Sequence, residues 1–472
     1  MRESLRHGMG LQSNSVLQHI YAASPAFLQS GAISVLGARI RYQRYNSSFQ
    51  KLSESYARQQ WEDKSFWIEH QHKKLSHIVS LARETTEHYQ TLPNEFELDT
   101  SRPPEDQMDG LPFLSGETIK SQPKSLVSNI VDLSDCISHS TSGTTGTPKT
   151  TYHTLESQRK YWAAMNRFYR RGGVRYGDRR LSFTGNKIVP TGETTGPYGR
   201  YDRANNRYLM SSYHLGENTV DDYLDEIEQF QPDYIDGYPS SISYCAQRAL
   251  ETNRDIRIPA AFPTAETLRE EDRELIEEGF STQVYNQYGS TESAALITEC
   301  PNGNWHVNPE IGIVEVLDED GEPVTEGEIG ELVLTGLNNK AMPLIRYRIG
   351  DMARGPPRYE ACDCGWNTPV IEEIIGREDE VVITADGRRI PMLSYNVFKY
   401  AEGIEESQIV QESVDEFVLR IVPGDGYTDD QADLVTEKLK DRVGEDISVE
   451  VKLLDEIPKT SSGKFRAVIS KV

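Results

Sequence analysis

Two stretches limit what this chain can fold into. "TVDDYLDEIEQFQPDYIDGYPSSISYCAQRAL", residues 219–250, reads as helix, turn, strand and helix in succession, and "IRIPAAFPTAETLREEDRELIEEGFSTQVYNQYGS", residues 256–290, repeats the scheme. Short apolar strands alternating with charged helices are βαβ grammar, and they imply an α/β sheet. Around this centre the style changes twice. Residues 304–333 read as β-rich, with turns at "DEDGEP" and "TEGEIG". After Gly376, short strands ("EVVITA", "EFVLRIV") flank one helix, "DDQADLVTEKLKDRV", as in a small α+β domain of about 95 residues. The first hundred residues read mainly helical, with Phe66, Ile68, Leu75, Ile78, Val79 and Leu81 near one helical stripe. A chain of 472 residues is expected to hold two or three domains.

The charge balance excludes several functions. With 74 acidic against 50 basic side chains the formal net charge is -24, the opposite of the basic footprint that nonspecific nucleic-acid binding needs. The same balance disfavours an electrostatic dock onto anionic lipid. No run of about 18 apolar residues is present, so no stable membrane insertion is expected. "FLQSGAISVLGARI" is apolar but short, and a core or groove helix is the expectation rather than an anchor. The start of the chain is too polar for a secretory signal, and a cytoplasmic location is expected. Five cysteines are too sparse and odd a set for a disulfide framework.

In this acidic chain one loop is built to hold phosphate. "TSGTTGTPK" packs Thr141, Ser142, Gly143, Thr144, Thr145 and Gly146 ahead of Lys149. The glycines let successive N–H groups converge on an anion, the hydroxyls add donors, and Lys149 adds a charge. It is not a Walker A loop, because Pro148 and not glycine precedes the lysine. "NQYGSTESA" follows an apolar strand and offers Tyr288, Gly289, Ser290, Thr291 and Glu292; an acid at such a strand end suits Mg²⁺ near phosphates. "PLIRYRIGD" ends on Asp351, an acceptor for a ribose diol; "IIGRED" gives Arg377; and "IPKTSSGKFRAV" carries Lys464 on a glycine-containing turn.

In this order, "TSGTTGTPK", "YGSTE", "YRIGD", "GRED" and "PKTSSGK" resemble the adenylate-forming superfamily of acyl-CoA synthetases, nonribosomal adenylation domains and luciferases. The resemblance covers residues 138–467. "GELVLTGLNNKAMPLIRYRIGD", "CDCGWNTPVIEEIIGR" and the helical N-terminal segment are similar to the phenylacetate–CoA ligase and CapK-like branch. The resemblance implies a large AMP-binding domain over residues 1–376, with mixed sheets, helices and a β-rich subdomain, and a small α+β lid over 377–472. It implies ATP and Mg²⁺, with a small carboxylic acid activated as acyl-adenylate and then passed to a thiol such as CoA. Lys464 would bridge carboxylate and α-phosphate, Thr291 would donate to the α-phosphate, and Glu292 would hold Mg²⁺. The loop ending at Lys149 would hold the outer phosphates, while Ala265, Glu266 and Tyr288 would line the adenine slot. Asp351 would take the ribose hydroxyls, Asp379 matches the hinge position, and Tyr238 is expected to wall the acyl pocket. One departure is plain: after "GRED" the usual Gly-x-x-Ile segment is replaced by "DGRRIPMLSYNVFKYAEGIEESQIV". That leaves transfer of the acyl group or of AMP to an amine or hydroxyl as the alternative. Neither the acid nor the oligomeric state is readable.

"ECPNGNWH" and "ACDCG" place Cys300, His306, Cys362 and Cys364 in the β-rich region. A Cys/His pair plus Cys-x-Cys supplies the four ligands of a closed structural zinc site, and some members of the phenylacetate–CoA ligase branch resemble this pattern and bind zinc there.

Overall fold

The structure is a computed structural model that describes residues 15–92, 98–140, 149–184, 186, 188–190, 193–377, 382–385, 389–390, 393–398, 401–424, 426–458 and 465–472. The chain divides into two compact units, Met1–Ile349 with Ala353–Ile374, and Gly350–Met352 with Ile375–Val472.

The first unit carries helices α1 (Ser15–Ala22), α2 (Ala26–Arg44), α3 (Ser47–Gln59) and α4 (Lys64–Thr85). Asp63 caps α4 by accepting from the Phe66 N–H, at 2.9 Å. Ile68, Leu75, Ile78, Val79 and Leu81 are buried along α4 as the periodicity predicts, but its largest buried side chain is Trp67, and Phe66 is only half-buried. Strand β1 (Leu114–Ser115) and helix α5 (Gly116–Ser121) precede the antiparallel pair β2 (Ile137–Ser140) and β3 (Thr150–His153). Helix α6 (Leu155–Tyr169) follows, capped by Thr154 on the Ser157 N–H.

The βαβ stretch forms a six-stranded sheet from β4 (Arg180–Thr184), β5 (Gly199–Asp202), β6 (Arg207–Ser211), β7 (Tyr234–Gly237), β8 (Ala260–Pro263) and β9 (Gln283–Val284), ordered β5-β6-β4-β7-β8-β9. Helices α7 (Val220–Phe230), α8 (Pro239–Glu251) and α9 (Glu270–Gly279) connect its strands. All neighbours are parallel except β5 with β6. Every residue of β7 and β8 is buried, as strands covered on both faces require. At the end of β7, Gly237 has φ 131°, and a Cβ there would lie 2.4 Å from the Phe183 carbonyl oxygen. Only glycine lets the chain turn there into α8.

A second sheet orders β10 (Gln287–Gly289), β11 (Leu296–Glu299), β12 (Trp305–Val307) and, from later in the chain, β16 (Val370–Ile371). A third joins β13 (Gly312–Leu317), β14 (Ile329–Gly336) and β15 (Tyr347–Arg354) to β1, with β17 (Glu373–Arg377) also paired to β15. The second unit continues through β18 (Val382–Ile383), β19 (Arg389–Ile390), α10 (Leu393–Phe398), β20 (Ile404–Gln411), β21 (Glu416–Pro423), α11 (Asp429–Val443), β22 (Ser448–Leu453) and β23 (Val468–Ser470). Its sheet runs β22-β21-β20-β23 around a core that includes Ile409, Leu419, Val435 and Leu439.

Helix α2 spans the apolar stretch and is only partly a core helix: Ile33 packs in a small cluster with Ile188, Val189 and Leu209, while Phe27, Leu28, Val35 and Tyr42 are all exposed.

Candidate active site

Lys149 stands immediately ahead of β3, where the phosphate loop ends. Its Nζ donates to the Tyr347 hydroxyl at 2.9 Å, and that hydroxyl donates to Glu292 Oε1, also at 2.9 Å. Lys149 Nζ and Glu292 Oε1 are 4.0 Å apart. Glu292 and Tyr347 are buried, and the Lys149 side chain is 16 % exposed. Three distant segments thus meet on one hydroxyl. Sequence reasoning picked out the lysine and the acid and missed the tyrosine joining them, although it lies inside the quoted "YRIGD" run.

Two devices hold this group. Gly116 Cα lies against the lysine, and a Cβ there would sit 2.9 Å from Lys149 Nζ, so a larger residue would displace the charge. Arg346, just before Tyr347, adopts φ 44°, unusual outside glycine. It is fixed there by a two-pronged pair with Glu315 on β13, at 2.7 and 3.2 Å, and by the Leu111 carbonyl at 3.1 Å. Both side chains of that pair are 4 % exposed, so the pair positions β15 from inside the core.

The adenine-side candidates surround the carboxyl ends of β7 and β8, where open α/β sheets bind ligands. Ala265 has φ 72°, a left-handed residue just past β8. The Thr264 N–H reaches the Gly237 carbonyl at 2.8 Å, and Gln287 Nε2 donates to Thr264 Oγ1 at 2.6 Å, tying this loop to the β10 strand that bears Tyr288. Glu266 Oε2 accepts from the Ser240 N–H, at 3.3 Å, beside the N-terminus of α8. Tyr238 is buried at the cap of that helix. Gly289 and Thr291 are exposed, and Ser290 Oγ is buried with no hydrogen-bond partner among the described residues.

Asp351 is buried further along β15, in the part that groups with the second unit. Arg377 ends β17. Thr141, Ser142, Gly143, Thr144, Thr145, Gly146, Asp379 and Lys464 lie outside the described residues.

The four predicted metal ligands come together. One ligand atom each from Cys300, His306, Cys362 and Cys364 lies within 4.8 Å of all the others. The Cys300 and Cys362 sulfurs are 3.8 Å apart, and His306 Nε2 is 3.4 Å from Cys364 Sγ. Thr368 Oγ1 engages the other ring nitrogen at 3.0 Å, which turns Nε2 toward the sulfurs. Burial, with the nearby Arg171 charge, lowers the His306 pKa to about 4, so the imidazole is neutral. Arg171 lies 3.6 Å over the Trp366 ring, which packs edge-on against His306; neither was foreseen from sequence. Two thiolates on one tetrahedral zinc lie about 3.8 Å apart for Zn–S near 2.3 Å, so the donor set fits the ion.

This fold, with a lysine and an acid joined through one tyrosine hydroxyl, is that of the adenylate-forming class of enzymes. Residues 68–341 match the AMP-binding enzyme family, and the chain belongs to it. Residues 382–471 match the CapK C-terminal domain. Protein CapK of Staphylococcus aureus is 26% identical over 466 residues, 97% of this chain and 100% of that protein. The phenylacetate-coenzyme A ligase of Thermus thermophilus is 26% identical over 362 residues, covering 70% of this chain and 80% of its own length. A crystal structure of 2-hydroxyisobutyryl-CoA ligase in the postadenylation state superposes with a TM-score of 0.63 at 19% identity, over 84% of this chain and 88% of the other. That likeness confirms the fold. Among the described residues no helix is long and apolar enough to cross a membrane.

Proposed function

We propose that this chain activates a small carboxylic acid as its acyl-adenylate, releasing pyrophosphate from ATP, and then transfers the acyl group to a thiol such as CoA. The observation carrying this reading is the Lys149–Tyr347–Glu292 group, which sets a cation and a carboxylate side by side at the end of the phosphate loop. The acid is already ionised near neutral pH, so no general base is needed; the barrier is the meeting of two anions, and charge neutralisation lowers it. Lys149 supplies positive charge to the outer phosphates. Glu292, a buried carboxylate with a neutral hydroxyl on one oxygen, fits a hard divalent cation, and bound Mg²⁺ would supply further neutralisation of the phosphates there. Thr291, exposed beside Glu292, and the unpartnered Ser290 hydroxyl are donors for phosphate or acyl oxygens. Ala265, Glu266 and Tyr288 accept the adenine, Asp351 the ribose, and Tyr238 bounds the acyl group. Lys464 serves the first half-reaction, and residues 377–472 act as the lid with Asp379 as hinge.

Zinc is the proposed ion for the Cys300–His306–Cys362–Cys364 cluster. None of these residues belongs to the proposed reaction machinery, and they join β11, β12 and the loop before β16, so the role assigned is a structural staple. The acceptor has a second reading, an amine or hydroxyl. Two features favour it: the altered segment after "GRED" and the match of residues 382–471 to the CapK C-terminal domain. AMP release measured with CoA, amines and sugar hydroxyls separates the two. Stimulation by CoA alone supports the thiol ligase, and stimulation only by amines or hydroxyls replaces it.

A further inference from the structure

Of the large apolar side chains of helix α2, only Ile33 is buried. The helix lies along β5, an edge strand of the six-stranded sheet, and turns polar groups toward it. Ser34 Oγ donates to the Tyr201 carbonyl at 3.2 Å and accepts from the Arg203 N–H at 3.0 Å, while Ser30 Oγ accepts from the Tyr201 N–H at 3.2 Å. Gln29 accepts from Arg200 at 2.6 Å, and Arg41 donates to the Ala204 carbonyl at 2.8 Å. These side chains satisfy the open edge of the strand, which would otherwise template pairing with another chain. The apolar residues face the other way: Phe27 is 72 % exposed, Leu28 52 %, Val35 73 % and Tyr42 83 %. Ile20, just ahead on α1, is 60 % exposed. Isolated exposed apolar side chains need no explanation, but a stripe along one helix marks a surface that something covers.

The charge around the stripe selects the occupant. Residues 15–53 hold no acidic side chain, whereas Arg39, Arg41, Arg44 and Lys51 all fall there, in a chain whose net charge is -24. The acidic balance that argues against docking on anionic lipid is therefore carried elsewhere in the chain. A second copy packed stripe to stripe would bring Arg39 against an acid-free segment, with no carboxylate from that segment to answer it. The remaining exposed large apolar residues are spread from Trp61 to Val472, with no comparable run along one helix among the described residues. An anionic lipid surface meets both demands, taking up apolar side chains while attracting the arginines. The helix has 19 residues, about 28 Å at 1.5 Å per residue, and would lie flat on a bilayer. We propose that α2 docks the protein peripherally onto anionic membranes, with Phe27, Leu28, Val35 and Tyr42 entering the headgroup region and Arg39, one turn on from Val35, facing acidic lipid.

The test is co-sedimentation of the full chain with phosphatidylcholine vesicles and with vesicles also containing phosphatidylglycerol, across a salt series. Binding is expected to the anionic vesicles and to fall with salt. Arg39→Gln should weaken partitioning about fivefold, at about 1 kcal/mol for a basic side chain near the surface. Phe27→Ser with Val35→Ser should weaken it by about tenfold or more, with unchanged melting because both side chains point to solvent. Arg39→Gln and the salt series keep the test decisive should the serine pair unfold. Failure of the wild-type chain to bind anionic vesicles, or binding that Arg39→Gln and the serine pair both leave intact, overturns the proposal. So does loss of self-association in Phe27→Ser/Val35→Ser, read by sedimentation velocity, without vesicle binding by the wild type; that would assign the stripe to a second copy.

Discussion

Replacing Tyr347 by phenylalanine removes one oxygen from the centre of the site. The ring is fully buried and the substitution keeps its volume, so little stability is lost to packing. What goes is the bridge: the hydroxyl makes 2.9 Å contacts with both Lys149 and Glu292, which are themselves 4.0 Å apart. Each hydrogen bond to a charged group is worth about 1.5–3 kcal/mol. At 4 Å, with the effective dielectric of a partly exposed site, the direct attraction of the two charges is about 4 kcal/mol. Without the hydroxyl, lysine and carboxylate should therefore collapse onto each other, and the carboxylate is no longer offered to a cation. The expected result is a loss of about 10- to 100-fold in affinity for Mg·ATP, corresponding to one charged hydrogen bond, with a much smaller loss for ATP in chelator. Titration of a fluorescent ATP analogue with and without Mg²⁺ reads both values. Equal losses in the two titrations, or no loss in either, would refute the assignment of Glu292 to the cation and of Tyr347 to its positioning.

Lys464→Ala should slow pyrophosphate release by about 100-fold yet spare thioester formation from a supplied acyl-adenylate; equal damage to both half-reactions counts against its role. Removing metal with a strong chelator, or Cys300→Ser, should lower the melting temperature and release zinc in a one-to-one ratio with protein; a metal-free preparation with unchanged melting sinks the zinc assignment. The His153 pKa is pulled from 6.5 to about 3 by burial, helped by neighbouring His139. Between those values the unfolded chain binds a proton that the native state refuses, so stability rises with pH across the window and is lost as pH falls below about 6.5. At pH 5 the cost is about 2 kcal/mol, so the stability difference between pH 7 and pH 5 should shrink by that amount in His153→Gln, leaving the part due to His70 and His306; an unaltered acid slope would show that His153 does not contribute to it.

The α/β centre was legible because its strands are short apolar runs and its helices amphipathic, so periodicity alone separates β7, α8, β8 and α9. Helix α11 over Asp429–Val443 coincides with the segment read from its pattern. Helix α2 was legible only in part because composition does not say which way a stripe faces; its serines and Gln29 were needed by an edge strand that sequence does not announce. In the candidate site, the sequence names residues that carry chemistry in motifs, Lys149 and Glu292 among them, and does not name those acting through geometry. Tyr347 matters because its hydroxyl falls between two charges drawn from segments far apart in sequence. Gly116 matters because a Cβ would strike Lys149, and Arg171 because its guanidinium, stacked on Trp366, disfavours a charged His306. None of these relations has a spacing to read. The Cys300–His306–Cys362–Cys364 cluster was readable because cysteine is rare here, so two short motifs sufficed.

The measurement that bears most directly on the central claim is pyrophosphate release from Mg·ATP across a broad panel of carboxylic acids, with hydroxylamine present to trap the activated acyl group. At least one acid should give pyrophosphate and hydroxamate in equal amounts, both lost when Mg²⁺ is chelated and both sharply reduced in Lys149→Ala. Binding of ATP with neither product from any acid, in the presence of thiol, amine and hydroxyl acceptors, would contradict it.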